Sequence, residues 1–256
     1  MCGSRGGLLM KNILITGASG RIGSNVAEHL KGKYHLTLAD IQNESSEDPG
    51  DDEMKRISLD ITNLQDCREA FRGMDVVIHL AGDPSPEADF ESVMRINIEG
   101  TYNVFRAAQE AGVERVIFAS SVHTVKGYPA DVQPRPDMPV RPKNLYGVSK
   151  VSGEAFAAYF AYQENLPIIA LRIGAYDAVN LTDGNLSSSD MGIYLSPKDM
   201  NHLMEQCITT PMENPFEILN AISDNNFKGL DIQKTRECFG YQPVDDGFKE
   251  CGFRFW

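Results

Sequence analysis

Tyr146 and Lys150 stand four positions apart in "LYGVSK" (145 to 150), so on a helix both side chains project on the same side. A free phenol, with a pKa of about 10, is a poor base near neutrality, but an adjacent ammonium favours its phenolate. Such a spacing is common on solvated helices. It gains meaning from "FASSVH" (118 to 123), in which a strand would end with Ser120 and Ser121 at the carboxyl edge of a sheet. A serine hydroxyl there can hold a reacting oxygen while the tyrosine takes its proton and the carbon gives up hydride.

That chemistry needs a hydride acceptor, and "TGASGRIG" (16 to 23) offers a place for one. Gly17 and Gly20 permit a tight turn and close approach of a pyrophosphate, and Gly23 lets the following helix pack near the sheet. The free N–H groups and dipole at that helix start favour the anion. Asp40, at the end of the second strand, can accept both ribose hydroxyls of an adenosine and repels a 2′-phosphate, which favours NAD over NADP. Arg21, a cation inside the loop, argues the other way. Asp60 either bonds the adenine amino group or forms a turn. Small Ala81 and Gly82 in "HLAG" give a ribose passage over the fourth strand, and His79 reads as a core group. Gly153 and Ala157 continue the Tyr146–Lys150 face and leave room for a nicotinamide ribose.

These groups need a scaffold that brings several strand ends together. Short β-rich runs at 12–17, 34–40, 56–60, 76–82, 115–120 and 167–174 alternate with helical patterns at 21–31, 64–72, 92–111 and 145–164. Several strands are apolar on both faces, the pattern of parallel strands covered on each side. The expected fold is therefore α/β, a Rossmann-like doubly wound parallel sheet. Residues 43–53 read as a solvated acidic loop. After residue 175 the alternation weakens. Ser196, Pro197 and Asp199 mark a helix start, "FEILNAI" reads as a strand, and "DIQKTRECFG" as a helix stopped by Gly240. This predicts a Rossmann domain over 10–178 and a small substrate-binding annex over 179–256, lying above the strand ends.

Composition bounds the partners. The 256 residues include 24 basic and 36 acidic side chains, a formal charge of -12 that argues against nucleic acid and anionic lipid. No apolar run approaches the ~20 residues of a membrane span. Cys2, Cys67, Cys207, Cys238 and Cys251 form no CxxC pair, so they read as reduced thiols of a cytoplasmic protein with no metal site. The opening "MCGSRGGLLM" lacks the apolar core of a secretory signal and reads as a loose leader. Asn180 and Asn185 begin N-x-[ST] triplets that are chance matches in such a protein.

The chain resembles the extended short-chain dehydrogenase/reductases, the NAD-dependent epimerase/dehydratase superfamily, over residues 11 to about 247. The resemblance is carried by "TGASGRIG", Asp40, "HLAG", "NIEGT", "FASS", "YGVSK" and "TRECFGYQP". It implies Ser121, Tyr146 and Lys150 as catalytic residues, with Ser120 as a structural neighbour. It further implies NAD held by Gly17, Ser19, Gly20, Arg21, Ile22, Gly23, Asp40, Asp60, Ile61, Leu80, Ala81, Gly82, Asn97, Tyr146, Lys150 and Ile173. Asn97 would hold site backbone or a relay water; a plain buried hydrogen bond is the alternative.

Within the superfamily, "VIFASSVHTVKGYP", "RPKNLYGVSK", "LRIGA" and "YLSPKDMNHLMEQCITTP" are similar to uronate dehydrogenases and related short hexose dehydrogenases. The similarity implies oxidation of an anomeric carbon to a lactone, with substrate held by Ser121, Val122, His123, Tyr146 and Ala175. The chain departs from that pattern at Val122, where asparagine is usual, and at Ala175, where serine is. Residues 176 to 195 also lack the usual arginine for a substrate carboxylate. An anionic sugar would need another cation, such as Lys126, Arg135 or Arg254; a neutral sugar needs none. Alternatives are a nucleotide-sugar epimerase or dehydratase that retains its NAD, and a non-catalytic NAD-binding protein. Related enzymes often pair through the helices after the fourth and fifth strands, which makes a homodimer an expectation.

Overall fold

The computed structural model describes residues 10–41 and 54–254. Residues 1–9 of the leader, with Cys2, and all of the loop expected at 43–53 lie outside the described residues.

Seven parallel strands form one sheet in the order β3-β2-β1-β4-β5-β6-β9. They are β1 (Asn12–Thr16), β2 (His35–Asp40), β3 (Met54–Ser58), β4 (Val76–His79), β5 (Arg115–Ser121), β6 (Ile168–Ile173) and β9 (Phe216–Ala221). Every residue of β4 and β6 is buried, as continuous apolar runs require when both faces are covered. On one face α1 (Arg21–Leu30) and α8 (Pro197–Thr209) pack over Ile13, Ile15, Ile117 and Leu171. On the other, α2 (Leu64–Ala70), α4 (Gly100–Ala111) and α5 (Leu145–Gln163) cover Leu14, Val77, Val116 and Ala170. The strand order turns back between β1 and β4, and ligands of doubly wound sheets bind at such a switch point.

The helix expected over 92–111 has an interruption. It begins as α3 (Phe90–Ser92), widens to a π-helical turn over Val93–Glu99, and continues as α4. Such wide turns cluster at functional sites because they re-aim side chains. Here Asn97 is turned to the end of β4, where it binds the backbone of Asp83.

The C-terminal third differs from the expected annex in two respects. The strand read from "FEILNAI" pairs with β6 in parallel, Ile169 opposite Glu217 and Leu171 opposite Leu219, and so extends the main sheet. Its partner is distant in sequence, and local pattern carries no information about it. Helix α8 starts as expected, with Ser196 accepting the Asp199 N–H at 3.0 Å, but it packs beside α1 and away from the strand ends. Above the ends lie the two-stranded pair β7 (Ala175–Tyr176) and β8 (Tyr194–Leu195), with α6 (Ala178–Leu181) and α7 (Ser188–Gly192). Then come α9 (Gln233–Phe239), ended by Gly240 at φ 63, and α10 (Gly247–Glu250).

Candidate active site

One crevice of about 960 Å3 runs across the carboxyl ends of β2, β1, β4, β5 and β6. It brings together Gly17, Gly20, Arg21, Ile22, Gly23, Asp40, Asp60, Ile61, Leu80, Ala81, Gly82, Ser121, Tyr146, Lys150 and Ile173. Ser19, Asn97, Val122, His123 and Ala175 are not on its wall. The first two support it from behind: Ser19 donates its N–H to Asp40 Oδ2 at 3.0 Å, and Asn97 grips Asp83.

The glycine loop is shaped by its own backbone. Gly17 has φ +68, and a Cβ there would lie 2.7 Å from the Ala81 nitrogen, so the turn needs glycine on two counts. At Gly23 a Cβ would lie 2.3 Å from the Gly17 carbonyl oxygen. The expected reason for Gly23, helix-to-sheet packing, is therefore replaced by helix-to-loop packing. Among the described residues no side chain caps the start of α1, which leaves its first N–H groups directed at the crevice. Arg21 turns away from Asp40: its Nη2 meets the Tyr176 carbonyl at 3.1 Å and Asp177 Oδ2 at 3.5 Å. Asp177 and Tyr176 follow β6, while Asp40 ends β2, so this guanidinium sits on the far side of the switch point from Asp40. Asp60 lies two residues beyond β3 and binds the Thr62 N–H and hydroxyl at 2.9 and 2.8 Å, a turn-forming arrangement.

Helix α5 is fixed at its start by Asn144, which caps the Gly147 N–H at 2.8 Å and reaches His123 Nδ1 at 3.0 Å. His123 in turn packs edge-on against the Tyr146 ring, centroids 5.4 Å apart. Lys150 is buried, with Nζ 5.2 Å from the Phe118 ring centre and 5.7 Å from that of Tyr146. No carboxylate pairs with it among the described residues. The room at Gly153 is already taken: a Cβ there would lie 2.4 Å from the Phe118 ring. That space belongs to the core, and the expected opening for a ribose is absent.

One more turn along the same face, Glu154 accepts from Ser120 Oγ at 2.6 Å and from Arg172 Nε and Nη2 at 2.9 and 2.8 Å. This buried cluster ties β5, α5 and β6 together directly beneath Ser121. His79, fully buried between Thr16 and Thr101, is driven down to about 3 by burial and then by the Lys150 charge. It is a neutral core group, as expected from its place on β4.

The electrostatics of the tyrosine run opposite to expectation in the protein by itself. Burial holds the Tyr146 phenol above its ordinary value; the Ser121 hydroxyl opposes this and the Asp83 charge adds to it. Burial also lowers the Lys150 ammonium, to about 8. The sequence pattern reveals the neighbouring charge and not the desolvation, which wins here.

Other wall residues had no strong signal in the sequence: Thr62, Asp83, Pro84, Arg95 and Tyr176. Asp83 and Arg95 are the informative ones, since each is a charged residue on the crevice wall. Of the cations expected as anion receivers, Lys126 pairs with Asp190 at 3.3 Å and Arg135 with Asp137 at 3.0 Å, while Arg254 is exposed.

A doubly wound sheet with an uncapped glycine loop at its switch point, an acid ending β2 and a Tyr–Lys pair on the helix after β5 defines a dinucleotide-dependent short-chain oxidoreductase. The NAD dependent epimerase/dehydratase family model matches residues 13–176, and the chain belongs to that family. It is 37% identical to the NAD-dependent glucose-6-phosphate dehydrogenase of Haloferax volcanii, over 91% of this chain and 93% of that protein. It is 31% identical to the L-arabinose 1-dehydrogenase (NAD(P)(+)) of the same organism, over 93% and 98%. Among solved structures, a uronate dehydrogenase mutant from Agrobacterium tumefaciens, complexed with NAD, superposes with a TM-score of 0.81 at 30% identity, covering 94% of this chain and 88% of that one.

Proposed function

We propose that this chain is an NAD-dependent dehydrogenase that oxidises a sugar hydroxyl, the anomeric C–OH of an aldose or sugar acid, to a lactone. The observation that carries the reading is the sharing of one crevice by the glycine loop, Asp40, Ser121, Tyr146 and Lys150. The names of the glucose-6-phosphate, arabinose and uronate dehydrogenases support the substrate class.

The residues fit the cofactor: the bare Gly17 turn and uncapped α1 amides suit a pyrophosphate, and Asp40 suits a ribose diol. When bound, NAD supplies the two-electron acceptor for the hydrogen on the sugar carbon. Ser121 orients the reacting oxygen through its hydroxyl. Tyr146, as phenolate, takes the proton from that oxygen. Lys150 stabilises the phenolate and would hold a ribose hydroxyl of the cofactor, and Asn97 holds the wall after β4 in place. Val122, His123 and Ala175, behind the wall, shape the sugar end. The third of the chain from 178 onward supplies the cover over the strand ends through β8, α6 and α7.

The test is NADH absorbance with a panel of aldoses, uronates and sugar phosphates, with one lactone expected per NADH. Tightly held cofactor and no NADH from any sugar would favour an epimerase or dehydratase instead. Asp40→Ser removes the carboxylate that repels a 2′-phosphate, and is expected to raise the kcat/KM ratio of NADP to NAD by about tenfold or more. An unchanged ratio would remove Asp40 from cofactor selection.

No helix among the described residues is long and apolar enough to cross a membrane. The unpaired Cys67, Cys207, Cys238 and Cys251 support a cytoplasmic location. Exposed Tyr102 on α4 and Val148, Tyr159 and Tyr162 on α5 support pairing of two copies through these helices.

A further inference from the structure

Asp83 is placed with unusual care for a residue in a loop. Asn97 Oδ1 accepts its N–H at 2.8 Å and Asn97 Nδ2 donates to its carbonyl at 3.0 Å. The same Nδ2 donates to Ser149 Oγ at 3.1 Å, and that hydroxyl donates to the Tyr146 carbonyl at 2.7 Å. A chain of hydrogen bonds thus fixes Asp83 relative to the first turn of α5. Gly82 makes the arrangement feasible, because a Cβ there would lie 3.0 Å from Asn97 Oδ1 and 3.5 Å from Lys150 Nζ. The Asp83 carboxylate is half-buried on the crevice wall. Its Oδ1 accepts the Ser85 N–H at 3.0 Å and its Oδ2 the Ser92 hydroxyl at 2.5 Å, leaving further lone pairs on both oxygens.

We propose that Asp83 sets the charge of the substrate: it accepts a hydrogen bond from a sugar hydroxyl and disfavours a carboxylate or phosphate, making the preferred substrate an uncharged aldose. This rests on the dehydrogenase reading above and narrows it.

The surroundings agree. Asp83 acts on the Tyr146 phenol, and at His123, whose ring touches Tyr146, burial and then the Lys126 charge are opposed by Glu87 and Asp190, so three carboxylates and one cation act on the reacting end. The cations there have other work. Lys126 is paired with Asp190, Arg21 is bound to Tyr176 and Asp177, and Lys150 lies beneath the tyrosine. Unless it reaches Arg95, an anionic sugar has to break one of these contacts and face Asp83, while a neutral sugar offers hydroxyls to the same oxygens. Arg95 is the opposing candidate: it is exposed on the crevice wall, two residues before Asn97, and could receive an anion.

The experiment measures kcat/KM with NAD for L-arabinose, D-glucose and D-galactose against D-glucuronate, D-galacturonate and glucose 6-phosphate. The best neutral sugar is expected to exceed the best anionic one by about tenfold or more at low salt, with the gap narrowing in 0.5 M NaCl. Asp83→Asn keeps the shape and can still accept from Ser85, so it is expected to raise the anionic-to-neutral ratio about fivefold or more. A merely structural role would lower both sugars together and leave the ratio unmoved. Preference of the unaltered protein for an anion, abolished by Arg95→Ala, overturns the inference and leaves the dehydrogenase reading intact. NADH from none of the sugars overturns both.

Discussion

Replacing Tyr146 with phenylalanine is expected to lower kcat by about 10³-fold while the Kd for NAD changes by less than about threefold. The substitution removes one hydroxyl and keeps the ring that packs against His123, so the start of α5 retains its contacts. What disappears is the proton acceptor next to Ser121. A steady-state NADH assay gives the first quantity and a cofactor fluorescence titration the second. A residual kcat within tenfold of the unaltered protein would show that another group takes the proton. The pH profile carries independent information. Phenolate and ammonium must coexist, yet in the protein alone burial holds the phenol above its ordinary value and brings the ammonium down to about 8. Activity should therefore climb from neutral toward alkaline pH as phenolate forms, and bend over where Lys150 gives up its proton. The competent pair is a minority form of the empty protein, and a positive charge arriving beside the phenol increases it.

The parts of this site that were legible in the sequence are those where backbone geometry dictates residue type. Gly17 must be glycine because of its φ and its closeness to Ala81, and the turn with its helix can be read from a string of letters. Alternating strands and helices likewise reveal a parallel sheet, since strands buried on both faces have no polar alternation. Tertiary relations were not legible. Gly153 looks like an opening until Phe118 from β5 is found filling it. The edge position of β9 depends on pairing with β6 across three intervening helices and the short β7–β8 pair. Asp83 resembles any aspartate that starts a turn, and only the Asn97–Ser149 chain distinguishes it. The sign of the tyrosine's shift depends on desolvation, which sequence spacing does not encode.

The remaining large effect concerns what holds the Tyr146 helix against the strand bearing Ser121. Tyr146, Lys150 and Glu154 follow one another at single-turn intervals, and Glu154 anchors the last of them to Arg172 and Ser120. Arg172 is 1% exposed, so Glu154→Ala leaves a buried guanidinium without its counterion. The expected cost is about 3–5 kcal/mol, which for a chain of this size lowers the unfolding midpoint by roughly 10 °C. Thermal unfolding of the cofactor-free protein reads it directly. The pair itself is imperfect: Arg172 Nη1 is buried and has no hydrogen-bond partner among the described residues. A double replacement, Glu154→Leu with Arg172→Met, removes both charges and should recover much of the lost stability, because two apolar groups need no solvation. If stability returns but turnover stays low, the charged cluster is retained for its directional hold on β5 and α5. If the single replacement melts within about 2 °C of the unaltered protein, water or a nearby rearrangement solvates Arg172 and the helix has another anchor.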